Sequence, residues 1–346
     1  MKRKGNLYAQ IYDPVNIKVA FENAIRGKSG IRTIREISKN PDPYLQEIHD
    51  ILKEERFVNG RYNTFELKER GKDRVIHSLP FFPDRIIHHA IVQICGPIWI
   101  KSFIRDTYAS IPGRGIHDGV RRIKRIMPQC EGWYALKCDI TKFYPSVDHT
   151  ILKDLLSKQI KDKPLLQLFD IIIDSAPGIP IGNYLSQYFG NIALSPFDHW
   201  IKHHKRIKYY YRYCDDFVII MQDKHHLHEL RIEAEAKLNE LKLLLKRNWQ
   251  VFPVSSRGID FLGYRFWPHK TLVRRTTIQR FKERLKIKRM TLNETIRLVQ
   301  VTGSFKGWLR YADSGRLINK YVLPSKSRVR NYLRKLRQHL SKAPIS

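Results

Sequence analysis

Two β-prone apolar runs, Tyr209–Tyr213 and Phe217–Met221, flank the adjacent acids Asp215 and Asp216. This pattern predicts a β-hairpin with carboxylates at its tip. Adjacent side chains on a strand point to opposite faces, so the two acids reach a common cation only where the chain turns. Asp-Asp is equally an ordinary turn dipeptide, and the rest of the chain has to decide. Upstream, residues 14 to 56 show helical patterning in three pieces, broken at Gly27-Lys-Ser-Gly30 and at Asn40-Pro-Asp-Pro43. Phe57 to Leu79 changes to a strand-like pattern through Tyr62, Phe65, Leu67, Val75 and Ile76. It carries Lys68, Arg70, Lys72 and Arg74 at period two, which alternation places on one face of a strand or hairpin. Solvent decoration and a triphosphate grip both fit those four cations.

Pro83 opens a helix through about Phe103, with Ile86, Ile87, Ala90, Ile91 and Ile94 as a buried stripe and Pro97 expected to kink or end it. A glycine-broken loop, Tyr108 to Gly115, then leads into a basic helix over 116 to 127. Arg114, Arg121, Arg122, Lys124 and Arg125 there suit either phosphate contact or a solvated face. Trp133 to Asp139 reads as a strand ending in an acid. Leu227 to Leu245 is amphipathic, with Leu230, Ala234, Leu238, Leu241 and Leu245 on one stripe. Phe261-Leu-Gly-Tyr reads as a short hairpin or strand, and the basic remainder as helices.

Composition narrows the class. With 346 residues, 42% hydrophobic and 11% aromatic, the chain buries a real core and is not disordered. The formal charge of +31 is concentrated: from Arg265 onward 22 Lys/Arg face three acids, a net +19. Such a field attracts a polyanion, with nucleic acid the expected one. Cys95, Cys130, Cys138 and Cys214 show neither zinc spacing nor a disulfide framework, which suits a reducing cytoplasm. Lys/Arg at positions 2 to 4 precede no apolar region, and no run approaches the roughly 18 residues of a membrane span. A soluble intracellular protein without membrane contact is expected. His88-His89, His203-His204 and His225-His226-x-His228 lack a carboxylate or Cys at ligand spacing and read as surface or phosphate-facing histidines.

Beside the hairpin, Asp139 becomes a candidate partner across a sheet. Three carboxylates at the ends of neighbouring strands can hold two Mg²⁺ about 3.5–4 Å apart, where a 3′-hydroxyl is activated and a leaving pyrophosphate steadied.

An aspartate followed five residues on by an aromatic (Asp139, Tyr144), and later an aromatic-x-Asp-Asp hairpin, resembles the palm of reverse transcriptases. Viral RNA-copying polymerases usually place a second acid where Tyr144 stands, to greet the ribose 2′-hydroxyl. A bulky ring there excludes that hydroxyl, so deoxynucleotides are the expected substrates. In Pro177 to Asn191, Ile181-Gly182 stands where related enzymes have Gln-Gly, and Ser186-Gln187 where the intron type has Ser-Pro. The Ile-Gly-Asn-x-x-Ser-Gln pattern looks like the reverse transcriptases of diversity-generating retroelements, within the group II intron-like lineage. The resemblance runs from about Val15 to about Ile318. It includes Asp84-Arg-Ile-Ile-His-His-Ala, Ser110-Ile-Pro-Gly-Arg-Gly-Ile-His and Gly258-Ile-Asp-Phe-Leu-Gly-Tyr264. Two departures are Cys214, in a slot more often Met, Ala or Val, and Ser-Ile-Pro before Gly113.

The resemblance implies an α+β right-hand polymerase fold: an N-terminal helical module at 1–56, fingers at 57–132, palm at 133–265 with a fingers/palm segment at 150–180, and a basic helical thumb and tail at 266–346. No maturase extension, RNase H domain or endonuclease is expected after the thumb. Asp139 and Asp215 are expected to ligate two Mg²⁺ (Mn²⁺ as substitute), helped by Asp216 and the Ile140 backbone carbonyl. Lys72 and Arg74 would clamp the triphosphate. Tyr144, Ile181, Gly182, Asn183 and Gln187 would form the nucleotide site, and Tyr213, Phe261, Leu262 and Gly263 would support primer and template. The implied partners are a template-repeat RNA, the RNA–cDNA duplex, dNTPs and an oligomeric accessory variability protein, in a bacterial or phage-encoded cytoplasmic system. Errors at template adenines and mutagenic retrohoming come with that reading. A retron-like, intron-like or antiphage reverse transcriptase, or a catalytically silent RNA-binding scaffold, are the alternatives.

Overall fold

The computed structural model describes residues 2–69, 72–287 and 289–340; the side chains of residues 68, 69, 72–74, 339 and 340 lie outside that description. In chain order the elements are α1 (Tyr8–Ile11), α2 (Pro14–Ile25), α3 (Arg32–Lys39), α4 (Asp42–Lys53), β1 (Asn63–Glu69), β2 (Lys72–Ser78), α5 (Ile86–Ser102), α6 (Ile116–Ile126) and β3 (Tyr134–Asp139). Then come α7 (Phe143–Ser146), α8 (His149–Ser157), α9 (Lys163–Ile173), α10 (Ser186–His199), β4 (Tyr210–Tyr213), β5 (Asp216–Met221), α11 (Lys224–Glu240) and β6 (Gln250–Pro253). The chain ends with α12 (Val254–Arg257), β7 (Ile259–Phe261), β8 (Tyr264–Phe266), β9 (Thr271–Val273), α13 (Arg275–Arg284), α14 (Leu292–Leu309), α15 (Gly315–Leu317) and α16 (Leu323–Leu340). β1 pairs with β2, a four-stranded sheet has the order β4-β5-β3-β6, and a three-stranded sheet the order β7-β8-β9. No helix of the described residues is long and apolar enough to cross a membrane.

Two compact units emerge, each assembled from separate stretches of chain: 1–112, 137–217 and 228–249 form unit 1, and 113–136, 218–227 and 250–346 form unit 2. In unit 1, α2 starts where the Asp13 side chain accepts from the Val15 and Asn16 amides, with Pro14 in the first turn. Its Ile17, Ala20, Phe21 and Ala24 are buried, as are Ile86, Ile87, Ala90 and Ile91 of α5. Trp99 centres an aromatic cluster with Phe169, Tyr188 and Phe189, at ring-centroid distances of 5.9, 5.7 and 6.1 Å. In unit 2, Tyr264 stacks on Trp308 at 5.3 Å, and Phe281 on Phe305 at 3.6 Å. The β7–β8 turn has Leu262 at φ +53° and Gly263 at φ +81°. A Cβ on Gly263 would stand 2.5 Å from the Trp308 ring, so only glycine fits.

Three expectations are corrected, and a fourth lies outside the description. The β1–β2 backbone register pairs Leu67 with Arg74, Lys68 with Asp73 and Glu69 with Lys72. The side chains of Lys68, Lys72 and Arg74, and the whole of Arg70, lie outside the described residues, and with them the expected basic face. Helix α5 continues through Pro97 to Ser102, held by burial of Cys95 and Trp99 on either side. Helix α11 stops at Glu240, and Lys242 takes φ +56°, so Leu241 and Leu245 leave the stripe. Leu245 instead bridges Ile140 antiparallel. His88 is buried, not at the surface, and burial pushes its imidazole down to about 3.

Candidate active site

Strand β3 buries Ala135, Leu136 and Cys138 and leaves Lys137 and Asp139 half-exposed, so the latter two share a face two residues apart. Beyond it the Ile140 backbone bridges Leu245. The Thr141 amide donates to the Leu244 carbonyl at 2.8 Å and the Lys246 amide to the Asp139 carbonyl at 2.8 Å. This pairing brings the Lys246 ammonium within 3.2 Å of Asp139 Oδ2.

The hairpin places Cys214 and Asp215 in the turn, with Cys214 at φ +54°, and Asp216 as the first residue of β5. Asp215 thus lies in the turn, ahead of the pleat that Asp216 enters. Asp216 Oδ2 lies 3.4 Å from Lys137 Nζ, while its Oδ1 is buried with no hydrogen-bond partner. Burial pushes the Asp216 carboxyl up to about 7; Lys137 opposes the rise, and Asp139 and Asp215 add to it. Three carboxylates thus feel one another's charge, with two ammonium groups beside them.

Behind the turn lies a buried polar cluster. Arg212 forms a bidentate pair with Asp198, Nε to Oδ1 at 2.7 Å and Nη2 to Oδ2 at 2.6 Å, and both side chains are about 1% exposed. Tyr210 Oη donates to Asp198 Oδ1 at 2.6 Å. Arg212 Nη1 donates to the Cys214 carbonyl at 2.7 Å, tying the cluster to the turn.

Tyr144 lies under this hairpin, its hydroxyl 3.6 Å from Cys214 Sγ. Burial first, and the Cys214 thiol next, raise its pKa, keeping the ring neutral. The backbone of Tyr144 is clamped from the other side, because the Ile179 amide donates to its carbonyl at 2.9 Å. Gly178, at φ +61°, approaches so closely that a Cβ would stand 2.5 Å from that carbonyl. The Ile181 carbonyl accepts from the His77 amide at 2.8 Å, and Gly182 takes φ +110° against the His77 carbonyl. Ile181 is half-exposed, and Gly182 and Gln187 are exposed. Asn183 is turned inward: it is buried and its Oδ1 accepts from the Leu185 amide at 3.2 Å, at the start of α10.

Tyr213 is half-buried, and burial, then Cys214, raise its pKa. Phe261 and Leu262 are buried and Gly263 forms the tight turn, all within unit 2. The side chains of Lys72 and Arg74 lie outside the described residues.

The profile of the family described as reverse transcriptase (RNA-dependent DNA polymerase) matches residues 66–266, more than half of the chain. The chain belongs to the reverse transcriptase family. Similar curated proteins are Protein YkfC of Escherichia coli (strain K12), 24% identical over 245 residues covering 57% of this chain and 64% of YkfC, and the group II intron-encoded protein LtrA of Lactococcus lactis subsp. cremoris, 24% identical over 213 residues covering 56% of this chain and 35% of LtrA. Nuclear intron maturase 1, mitochondrial, of Arabidopsis thaliana is 29% identical over 110 residues, 31% of this chain and 15% of its own. The chain therefore spans less than two thirds of the length of the curated relatives it matches. Apo telomerase from Candida tropicalis resembles this structure with a TM-score of 0.53 at 13% identity, over 71% of this chain and 52% of that one. Telomerase from the same organism in complex with the TWJ fragment of telomeric RNA gives 0.52 at 14% identity, over 84% and 56%. That likeness shows the fold, the α+β right-hand polymerase fold expected from the sequence.

A reverse transcriptase domain works with divalent metal ions, and the donor set here fits a hard cation. Its members are carboxylates alone, and one of them carries the orphaned buried oxygen Asp216 Oδ1. Burial first, and repulsion from Asp139 and Asp215 after it, oppose ionisation of Asp216, a cost a cation removes. Among the described residues no three His, Cys, Asp or Glu side chains converge closely enough to form a ready-made cage.

In this member of the reverse transcriptase family, sequence reasoning missed Lys137, Lys246 and the Asp198–Arg212 pair. Lys137 was findable, because period two on a strand places it beside Asp139. Lys246 and Asp198 come from distant chain and carry no local signal.

Proposed function

We propose that the chain is an RNA-directed DNA polymerase that copies a template-repeat RNA into cDNA with low fidelity at template adenines, serving retroelement-driven diversification. The observation that carries the polymerase reading is the Asp139, Asp215 and Asp216 centre, where burial, with repulsion from Asp139 and Asp215, holds the Asp216 carboxyl up to about 7 and leaves its Oδ1 without a hydrogen-bond partner. In this reading Asp139 and Asp215 hold two Mg²⁺ or Mn²⁺ ions, with Asp216 and the Ile140 carbonyl assisting. When bound, the ions supply charge neutralisation at the triphosphate and favour the ionised 3′-hydroxyl.

The chain's own residues do the positioning. Tyr144, fixed between Cys214 and Gly178, occupies the space of a 2′-hydroxyl and selects deoxynucleotides. Lys72 and Arg74 grip the triphosphate, and Ile181, Gly182 and Gln187 border the nascent pair. Tyr213 and the Phe261-Leu262-Gly263 turn support primer and template. The N-terminal module, fingers, palm and thumb divide as 1–56, 57–132, 133–265 and 266–346.

The diversity-generating reading rests on Ile181-Gly182-Asn183 and Ser186-Gln187. A half-exposed aliphatic at 181 offers no hydrogen bond to check pairing geometry. An oligomeric accessory variability protein is the implied partner. With +31 on the enzyme, a second basic protein needs bridging RNA or an apolar interface. Similarity to an intron-encoded protein keeps an intron-type enzyme as the second reading.

Primer extension on an RNA template with dNTPs and Mg²⁺, with cognate RNA and partner supplied, tests the activity. Asp215→Ala with Asp216→Ala should abolish extension and leave RNA binding intact. Extension by that variant sinks the carboxylate assignment. Sequencing of cDNA from Ile181→Gln tests the fidelity reading, and unchanged misincorporation opposite adenine removes Ile181 from it.

A further inference from the structure

The loop between α9 and α10 runs along Tyr144 and is held at three points. The Ile179 amide donates to the Tyr144 carbonyl at 2.9 Å, and the His77 amide to the Ile181 carbonyl at 2.8 Å. The third hold is a side chain: His149 Nε2 donates to the Gly178 carbonyl at 2.8 Å. A carbonyl only accepts, so the ring carries a proton on Nε2. Two of these bonds are backbone to backbone, and His149 supplies the one that a substitution removes.

His149 is itself well fixed. It opens α8, whose first turn is capped by Asp148, the carboxylate accepting from the Ile151 amide at 3.0 Å and from Lys242 Nζ at 2.7 Å. On its other side the ring faces Asp174, with Nδ1 3.1 Å from Oδ1. Lys153 Nζ donates to Asp174 Oδ2 at 2.6 Å and lies 3.5 Å from Asp170. The Lys153 hydrogen bond first, with His149 adding to it, holds the Asp174 carboxyl below the usual carboxylate range. With Nδ1 beside a carboxylate, the imidazole is turned so that Nε2 points at Gly178.

The loop has no slack at this point. Gly178 takes φ +61°, and a Cβ there would stand 2.5 Å from both the Tyr144 and the Pro145 carbonyls. The loop backbone therefore rests directly on the backbone of Tyr144, and a shift of the loop reaches Tyr144 with no side chain in between. At the far end of the ring the Tyr144 hydroxyl is 3.6 Å from Cys214 Sγ.

We propose that His149 is a positioning residue for nucleotide selection: by holding the Gly178 carbonyl it keeps the loop on Tyr144 and fixes where the ring stands. The selection itself rests on the reading of Tyr144 as the wall against a 2′-hydroxyl.

Two readouts on the full chain test this. The first needs no catalysis. Cys95, Cys130 and Cys138 are buried and Cys214 is half-exposed, so labelling by an aromatic disulfide reports Cys214 and the Tyr144 hydroxyl that lies against it. The second is the dNTP-to-rNTP ratio of kcat/KM in primer extension, with cognate RNA and partner supplied. His149→Asn keeps a donor near Asp174 and loses the one at Gly178. It should speed labelling about threefold by loosening the ring over the thiol. It should also lower the nucleotide ratio roughly fivefold, chiefly through a lower KM for rNTP. His149→Gln, whose amide nitrogen reaches about as far as Nε2, should restore both. If His149→Asn does not fold by thermal melt, His149→Met takes its place, matching glutamine in length without a donor. Wild-type labelling by the variant that lacks the donor overturns the proposal, and so does a His149→Gln protein that behaves like it. Faster labelling with an unaltered nucleotide ratio overturns the reading of Tyr144 as the sugar wall and leaves His149 as its positioning residue.

Discussion

Arg212 Nη1 donates to the Cys214 carbonyl at 2.7 Å while the rest of its guanidinium is locked to Asp198. A buried ion pair is thereby connected, through one backbone oxygen, to the turn that carries Asp215. Arg212→Lys keeps the charge but loses the fork. The expected outcome is a fall in kcat of about tenfold or more with KM and RNA affinity little changed, because the carboxylates are misplaced rather than removed. Arg212→Met should instead cost about 3–5 kcal/mol of stability by stranding Asp198. Steady-state kinetics on folded Arg212→Lys decide, and an unaltered kcat frees the turn from this anchor.

Asp216 links pH to stability. Its carboxyl is raised to about 7 in the fold from an ordinary value of 3.8. The folded state therefore binds the proton more tightly than the unfolded one. The associated stability is full below pH 3.8 and is lost as pH rises through 7. Thermal melts of Asp216→Asn should be flatter than wild type between pH 5 and 8, with the variant the more stable at pH 8. Mg²⁺ should raise the wild-type Tm most at pH 8 and have a smaller effect on Asp216→Asn. Parallel curves for the two proteins would contradict the assignment.

Tyr144 is held at two points, its hydroxyl beside Cys214 and its backbone carbonyl by the Ile179 amide. Tyr144→Ala should lower the preference for dNTP over rNTP by roughly tenfold or more in paired primer-extension assays. Retained discrimination would place the sugar elsewhere.

Gly182 at φ +110° leaves no room for a methyl group, since a Cβ would stand 2.6 Å from the His77 carbonyl. Gly182→Ala should cost on the order of 1–3 kcal/mol and reduce primer extension by displacing Ile181. Gly30→Ala, with nothing within 4 Å, serves as the neutral control in the same melts.

The hairpin with its two acids, the strand ending in Asp139, the three N-terminal helices and the turn at Gly263 were legible in the sequence. Each is fixed by side-chain period and turn chemistry within a few residues. Local signals failed where the chain reverses or departs from a repeat. The left-handed residue Lys242 ended a leucine stripe that otherwise continued on paper.

By itself the sequence offered the candidates for chemistry: three acids, a tyrosine where related polymerases carry another, and a strongly basic background. Tertiary structure alone decided their company. Lys246 reaches Asp139 because residues 244–246 pair with 139–141, and Asp198 meets Arg212 in a core from which water is excluded. A lone charge cannot be buried cheaply, so the fold selects its partners, and such pairings across distant chain leave no periodic trace to read.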